Sequence, residues 1–233
     1  MHSLFEQSEL YDLLEKVKKG ERLDFKAGIR MMNSQDILTI GYMANLVRER
    51  KNGNQTYFIV NHPINYADVY SDFDNNTNAM MRYGHNETAE ERINQLLQLR
   101  EQQDLTGGFL TFIPPPFYSE NTKLEGTMGV GTTTGFEDLK MLAISRILLD
   151  NFAHIKGFWL MLGPKLAQVS LAFGVDDLDG TVVEQRIINS AGTETSQVMT
   201  KRALIHLIQK AGRDAVERTE GGEVCASRDL ENH

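Results

Sequence analysis

Short runs of β-branched and aromatic residues alternate with longer amphipathic stretches along most of this chain. Apolar residues recur at helical spacing between these runs, and turn residues bound them. Strands that alternate with helices form right-handed β-α-β units with parallel strands. The pattern predicts an α/β fold with about four or five strands, too few for a complete eight-stranded barrel. The strands are predicted at Thr56–Asn61, Asn78–Tyr83, Phe109–Ile113, Phe158–Leu162 and Ala215–Arg218.

Capping residues mark the predicted helices. Three helices precede the first strand and form an N-terminal helical region over residues 1–55. Thr88 and Glu91 have the spacing of a capping box, and Thr200 caps the last helix. The helices are predicted at Leu4–Lys19, Phe25–Met32, from a cap at Ser34 or Asp36 through Arg50, from Thr88 through Gln103, and at Glu137–Phe152, Lys165–Phe173 and Lys201–Ala211.

The stretch Gly157–Glu184 combines a predicted strand, a Gly163-Pro164 turn, a helix and an acidic loop. Proline suits the first helical position, and Gly174 suits the left-handed position after the last turn. The loop carries Asp176, Asp177 and Asp179 before Gly180-Thr181. A strand that leads into a helix N-terminus is a common anion site, so two interpretations remain open: a ligand-binding edge, or an ordinary β-α unit with a solvated acidic loop.

Composition narrows the possible functions. The chain of 233 residues has a net charge of −8, which disfavours nucleic acid or an anionic membrane surface as a partner. Its apolar runs are too short to span a bilayer, and its N-terminus lacks a basic-then-apolar signal pattern. Cys225 is the single cysteine, which excludes a disulfide framework and predicts a cytoplasmic protein.

Several stretches resemble aminofutalosine synthase, a radical S-adenosylmethionine (SAM) enzyme of the futalosine route to menaquinone. The resemblance covers most of the chain and rests on NAMMRYGHNETAEERINQLLQLREQQDLTGGF, FIPPPFYSENT, DLKMLAISRILLDNFAHIKGFWLMLGPKLAQVSLAFGVDDLDGTVVEQRI and AGTET. It implies a (β/α) barrel that binds SAM and a 4Fe–4S cluster. The implied reaction adds the adenosyl radical to an enolpyruvyl ether of benzoate and yields aminofutalosine.

The chain departs from this family where the cluster is held. The family has a Cys-x3-Cys-x2-Cys loop after its first strand, and Tyr70, Asp74 and Thr77 stand at that spacing here. Iron–sulfur clusters are held by thiolates, for which hydroxyl and carboxylate groups are poor substitutes. About four β-α units are also missing by the length of a complete barrel. The sequence therefore predicts no cluster, no metal site, no radical catalysis and impaired SAM binding.

The resemblance leaves a set of candidate ligand-binding residues near the barrel mouth. His85 is the one candidate for proton transfer, although a histidine that satisfies backbone groups at a helix start is an equal alternative. The acidic residues either bind ribose hydroxyls or form a solvated turn. The complete set is Tyr83, His85, Glu87, Asn121, Thr122, Gly163, Asp176, Asp177, Asp179 and Thr181.

With the family included, the chain divides into the helical region 1–55, a truncated barrel over 56–218 and a flexible tail over 219–233. A partial TIM-type barrel exposes sheet edges, which predicts a homo-oligomer. Three functions remain open: an inactive synthase relative, a non-catalytic module that binds SAM, a nucleoside or a carboxylate, and a half-barrel that associates with other chains.

Overall fold

A computed structural model of the chain describes residues 5–60, 77–117, 133–178, 182–188, 194–219 and 221–225. Asn121, Thr122, Asp179 and Thr181 lie outside these residues. None of the described helices has the length and apolar character that crossing a bilayer requires. The helices are α1 Tyr11–Lys19, α2 Phe25–Asn33, α3 Ile37–Asn52, α4 Ala89–Thr106, α5 Gly135–Leu148, α6 Trp159–Leu162, α7 Pro164–Ser170 and α8 Lys201–Lys210.

The strands are β1 Gln55–Phe58, β2 Asn78–Met80, β3 Thr111–Ile113, β4 His154–Gly157, β5 Asp177–Leu178, β6 Val182–Ile188, β7 Glu194–Met199 and β8 Asp214–Glu217. Six of them form one parallel sheet in the order β2-β3-β4-β5-β1-β8. The other two, β6 and β7, pair antiparallel outside it. The α/β class and the partial barrel are therefore confirmed, with more strands than the sequence predicted.

The two faces of the sheet differ in polarity. Alternate residues on each strand point to opposite faces, and one set is apolar and fully buried, including Phe58, Phe112 and Leu178. This face packs on helices. A Cβ at Gly157 would lie 3.1 Å from both Ser170 of α7 and Val175. The other face carries polar side chains, namely Tyr57, Thr111, His154, Lys156, Asp177 and Arg218.

Contacts across the polar face show that the sheet is curved as in a barrel. Arg218, which follows β8, donates a 3.2 Å hydrogen bond to Thr111 Oγ1 on β3. In a flat sheet these strands would stand about 19 Å apart, four strand spacings, which no arginine side chain spans. Tyr57 and His154, two strands apart, also meet edge to face at 4.7 Å between ring centroids.

These contacts follow a stagger of one residue per strand. By the strand register, Thr111 lies two residues below the level of Asp177, and Arg218 lies two residues above it. One residue per strand is the stagger of an eight-stranded β/α barrel, in which alternate strands supply the side chains of one interior layer. Six of the eight strand places are filled by described residues. The described sheet therefore has fewer strands than a complete eight-stranded barrel, as the sequence predicted.

The predicted strand at Phe158–Leu162 is wrong. Strand β4 ends at Gly157, and Trp159–Leu162 forms the short helix α6. A continuous apolar run fits a buried strand and a buried helical turn equally well, so its periodicity cannot separate them. The predicted polar loop after Gly174 is also wrong, because Asp177–Leu178 is a buried strand of the sheet. Pro164 at the first turn of α7 and the positive φ of Gly174 are confirmed.

The predicted helix caps are confirmed. Asp36 accepts a 3.0 Å hydrogen bond from the backbone N–H of Thr39, and Thr88 and Glu91 form the capping box of α4. A second capping box, between Thr134 and Glu137 at the start of α5, was not predicted.

The N-terminal helices share one buried core with the sheet, and the largest helix contact is between α3 and α5. The division of the chain at residue 55 stays a prediction. The described part of the predicted flexible tail has defined partners. Arg218 and Val224 form an antiparallel bridge, and the backbone N–H of Cys225 donates a 2.9 Å hydrogen bond to the carbonyl of Glu217.

Candidate functional site

The C-terminal ends of β2 and β3 form one side of the barrel mouth, where β/α barrels place their active sites. Beyond the strands, pairing continues as a parallel bridge between Tyr83 and Pro116. The backbone N–H of Phe117 donates a 2.7 Å hydrogen bond to the carbonyl of Tyr83. This pairing fixes the direction of the chain through Tyr83, Gly84 and His85 as it leaves the sheet.

His85 is exposed at this mouth, and its ring meets the ring of Phe117 edge to face at 4.4 Å. Glu87 closes the turn behind it, because its carboxylate accepts hydrogen bonds from the backbone N–H groups of Gly84 and His85. Burial opposes ionisation of Glu87, but these amide hydrogen bonds and the charge of Arg92, 2.9 Å away, together lower its pKa below 4.5. Glu87 thus orients the His85 turn, and a direct contact with a ligand stays a prediction.

Tyr83 has a buried partner that sequence reasoning missed. Its hydroxyl donates a 2.7 Å hydrogen bond to Oδ1 of Asp138, in the first turn of α5. Burial raises the pKa of Asp138 above 3.8, and the hydrogen bonds from Tyr83 and Thr133 only partly offset this rise. Tyr83 itself is buried, so the structure makes it a support of the mouth. Asp138 gave no signal in the sequence, because acidic residues are common in any first helical turn.

Asp176 lies at the opposite end of the sheet, ahead of β5, and is fully buried. Its carboxylate is paired with Arg146 of α5, and it accepts 2.7 Å hydrogen bonds from Asn52 and from Nδ1 of His154. The backbone N–H of Ile155 donates a further bond of 2.9 Å. Burial works to raise the pKa of Asp176, but the Arg146 charge and the His154 contact outweigh it and keep the pKa below 3.8.

These contacts contradict both sequence interpretations of Asp176. The carboxylate is fully buried. Its oxygens contact Asn52 of α3, Arg146 of α5 and the N-terminal end of β4, and none of these groups lies at the mouth. That end of a β/α barrel serves stability. Asp176 therefore joins α3, α5, β4 and β5 below the sheet.

Asp177 points into the barrel from β5 and pairs with the guanidinium of Arg218. The same guanidinium reaches Thr111, so one interior layer joins β3, β5 and β8. Both charged side chains are buried. Asp177 Oδ1 and Arg218 Nε have no hydrogen-bond partner within the described part of the chain. Asp177 is thus an interior residue of the barrel and not part of an acidic loop.

Gly163 joins α6 to α7 with a φ of +75°, a backbone conformation that favours glycine. A Cβ there would meet no atom within 4 Å, so the backbone conformation alone requires glycine. The structure brings Tyr83, His85 and Glu87 together at the mouth. It separates them from Asp176 at the other end of the sheet and from Asp177 inside the barrel.

Comparison with known protein families identifies the family to which the chain belongs. Residues 106–225, just over half of the chain, match the family described as the CofH/MqnC C-terminal region. The chain belongs to this CofH/MqnC C-terminal family. The matched segment runs from the end of α4 through β8 and includes Asp176, Asp177 and the arginines that pair with them.

Individual relatives agree with the family. The aminodeoxyfutalosine synthase of Thermus thermophilus is 52% identical over 143 residues, which are 61% of this chain and 38% of that protein. The cyclic dehypoxanthine futalosine synthase of Streptomyces coelicolor is 43% identical over 138 residues, 59% of this chain and 33% of that protein. The resemblance to aminofutalosine synthases is confirmed. The CofH/MqnC chain spans less than two fifths of the length of these two relatives.

Solved structures confirm the fold. The hydrogenase maturase HydG of Carboxydothermus hydrogenoformans aligns with a TM-score of 0.59 at 10% identity, over 92% of this chain and 80% of that chain. Methylornithine synthase PylB aligns with a TM-score of 0.55 at 10% identity, over 87% of this chain and 97% of that chain. At such low identity the comparison supports the partial β/α barrel fold and nothing more specific.

Proposed function

We propose that this chain is an aminofutalosine synthase-type protein of menaquinone biosynthesis that binds a substrate or product but does not generate the radical. The relatives named for aminodeoxyfutalosine synthesis supply the family context. The observation that carries the proposal is the cysteine count, since the chain has one cysteine and a 4Fe–4S cluster needs several thiolates.

The donor groups of the chain do not fit the cluster. Cys225 is half-buried in the turn that follows β8, with its backbone bonded to Glu217. In the described ranges, no three His, Cys, Asp or Glu side chains converge to hold a metal ion. Of the three residues at the family's cysteine spacing, Tyr70 and Asp74 lie outside the described residues. Thr77 is described, and it offers an oxygen donor where the cluster requires sulfur.

The mouth described above supports retained binding. An exposed imidazole at His85 stands beside the aromatic ring of Phe117, and backbone pairing and the Glu87 carboxylate hold both in place. An imidazole next to an aromatic edge offers a hydrogen-bonding group and a stacking surface. These are the groups that recognise a benzoate or a nucleoside base. SAM binding is the weaker expectation, because one cysteine supplies too few thiolates to hold the iron that would bind its amino and carboxylate groups.

Calorimetric titration with aminofutalosine, the enolpyruvyl ether of benzoate and SAM tests this proposal. At least one of the first two ligands should bind, and His85→Ala should weaken that binding at least about tenfold, by roughly 1.4 kcal/mol. His206→Ala, which removes an exposed histidine from α8, serves as the matched control and should leave affinity unchanged. Flat titrations with all three ligands would refute retained binding.

Two further expectations belong to the same proposal. Strand β2 is an edge strand of the described sheet, which favours association between copies through that edge. Light scattering should then give twice the mass of one chain, and a monomer at all concentrations would contradict it. The single cysteine favours the cytoplasm, where fractionation of the source cells should recover the protein.

A further inference from the structure

Strand β8 occupies an unexpected place in the sheet. Successive strands of a β/α barrel are neighbours, and β2, β3, β4 and β5 follow this rule. The next place in the same direction holds β1, and the place after β1 should hold the strand that follows β1 in the chain. That strand, β2, lies at the opposite edge of the sheet, and β8 stands beside β1 in its place.

The pairing of β8 is that of a true barrel strand. All four of its residues pair with β1 in parallel register. The ladder extends at both ends, where Asp214 N–H donates to Asn54 at 3.0 Å and Arg218 N–H donates to Phe58 at 2.9 Å. Arg218 also enters the interior layer at the level set by the barrel stagger, where it meets Asp177 and Thr111.

We propose that the β1 edge is an acceptor site for a parallel strand, and that β8 is a substitute strand which fills it from within the chain. Two kinds of contact recognise the occupant. The backbone ladder holds any extended segment, and the Asp177 carboxylate selects a segment with an inward-pointing cation just after the paired residues.

The occupant is residues 213–225 of the same chain. This segment belongs to the domain shared by the family, because the family match extends to residue 225. The β1 edge is therefore closed within one chain. Association between copies is left to the β2 edge of the described sheet. Closure of the β1 edge by β8 is independent of which ligand the mouth binds.

Strand exchange tests the acceptor site on the folded chain. A protease recognition sequence inserted between Gly212 and Arg213 allows the link before β8 to be cut after folding. A fluorescent peptide of residues 213–225 is then added, and anisotropy follows its exchange with the released segment. The native peptide should bind, and the peptide with Arg218→Met should bind at least about thirtyfold more weakly, because it removes the guanidinium that pairs with the buried Asp177 carboxylate. A peptide with Glu223→Gln, a change at an exposed position, should bind like the native peptide.

Hydrogen exchange of the uncut chain provides a second measurement. Arg218→Met should speed exchange of the amides in Asp214–Arg218 at least about tenfold, since the ion pair with Asp177 no longer holds β8. Arg202→Met removes an exposed cation from α8 and is the matched control, with no change expected in β8. Equal affinity of the native and Arg218→Met peptides, or unchanged protection of β8 in the Arg218→Met chain, would overturn the proposal.

Discussion

Replacing Arg146 by methionine should destabilise the chain more than any surface substitution. The guanidinium is fully buried, pairs with Asp176, and donates bonds to the carbonyls of Gly174 at 2.8 Å and Ala153 at 3.3 Å. Methionine fills similar space but leaves a buried carboxylate without its main countercharge. Breaking such a pair costs about 3–5 kcal/mol of unfolding free energy.

Urea unfolding followed by circular dichroism measures this loss. Arg202→Met makes the same chemical change on the exposed surface of α8 and should stay within about 0.5 kcal/mol of the unmodified chain. The double variant Arg146→Met, Asp176→Asn removes both charges. It should therefore lose at least about 1 kcal/mol less than the sum of the two single losses. A loss below about 1 kcal/mol for Arg146→Met would refute the assignment of Asp176 to a structural network.

Asp138→Asn should raise the unfolding free energy at neutral pH by on the order of 1 kcal/mol. The raised pKa means that the folded state holds the Asp138 proton more tightly, so the charged carboxylate destabilises the fold as pH rises above 3.8. The stability gained by Asp138→Asn, measured by urea unfolding, should therefore vanish near pH 4. No gain at neutral pH would show that the pKa is not raised. The pH dependence of Asp176 is the opposite, because its pKa is lowered. Its charged form stabilises the fold above pH 3.8, and this stabilisation disappears as pH falls below that value. In an acid titration, Asp176→Asn should therefore lose less stability than the unmodified chain. Gly174→Ala should lower the unfolding free energy, measured in a thermal melt, by at least about 2 kcal/mol, because φ is +89° and the new Cβ would lie 2.8 Å from Arg146. Gly212→Ala is the control, because Gly212 also has a positive φ but a Cβ there would meet no atom within 4 Å. Its smaller loss measures the cost of the backbone conformation alone. Equal losses for the two glycine variants would contradict the packing at Gly174.

Local chemistry made much of the fold predictable. Capping signals located α3, α4 and α8 because a cap is a contact between residues three apart, and both partners are visible in the sequence. The alternation of strands and helices predicted a parallel sheet for a similar reason. Strand β5 was missed because it has two residues and begins with an aspartate, which single-strand patterns assign to a turn.

The sites of Asp176 and Asp177 show where sequence reasoning stops. Each aspartate is buried because an arginine from another element meets it, Arg146 from α5 and Arg218 from the end of β8. Such pairs join residues far apart in the chain, so no local pattern reveals them. An acidic run without its partners is typical of solvated loops. The Tyr83–Asp138 contact was missed for the same reason, since 55 positions separate its two residues.

The role of β8 could not be read from its sequence either. Residues 214–217 have an ordinary strand pattern, and nothing in them specifies β1 as the neighbour. The pairing follows from the place that the sheet leaves open beside β1, and from the reach of Arg218 across the interior layer. Both are properties of the assembled barrel.

Anaerobic reconstitution with iron and sulfide, followed by metal analysis and an assay for SAM cleavage, tests the central claim most directly. A chain with one cysteine should retain far less than one iron per chain after desalting, show no visible absorption of a cluster, and release no 5′-deoxyadenosine from SAM. About four irons per chain together with SAM cleavage would contradict the account, because a radical centre would then form on this chain.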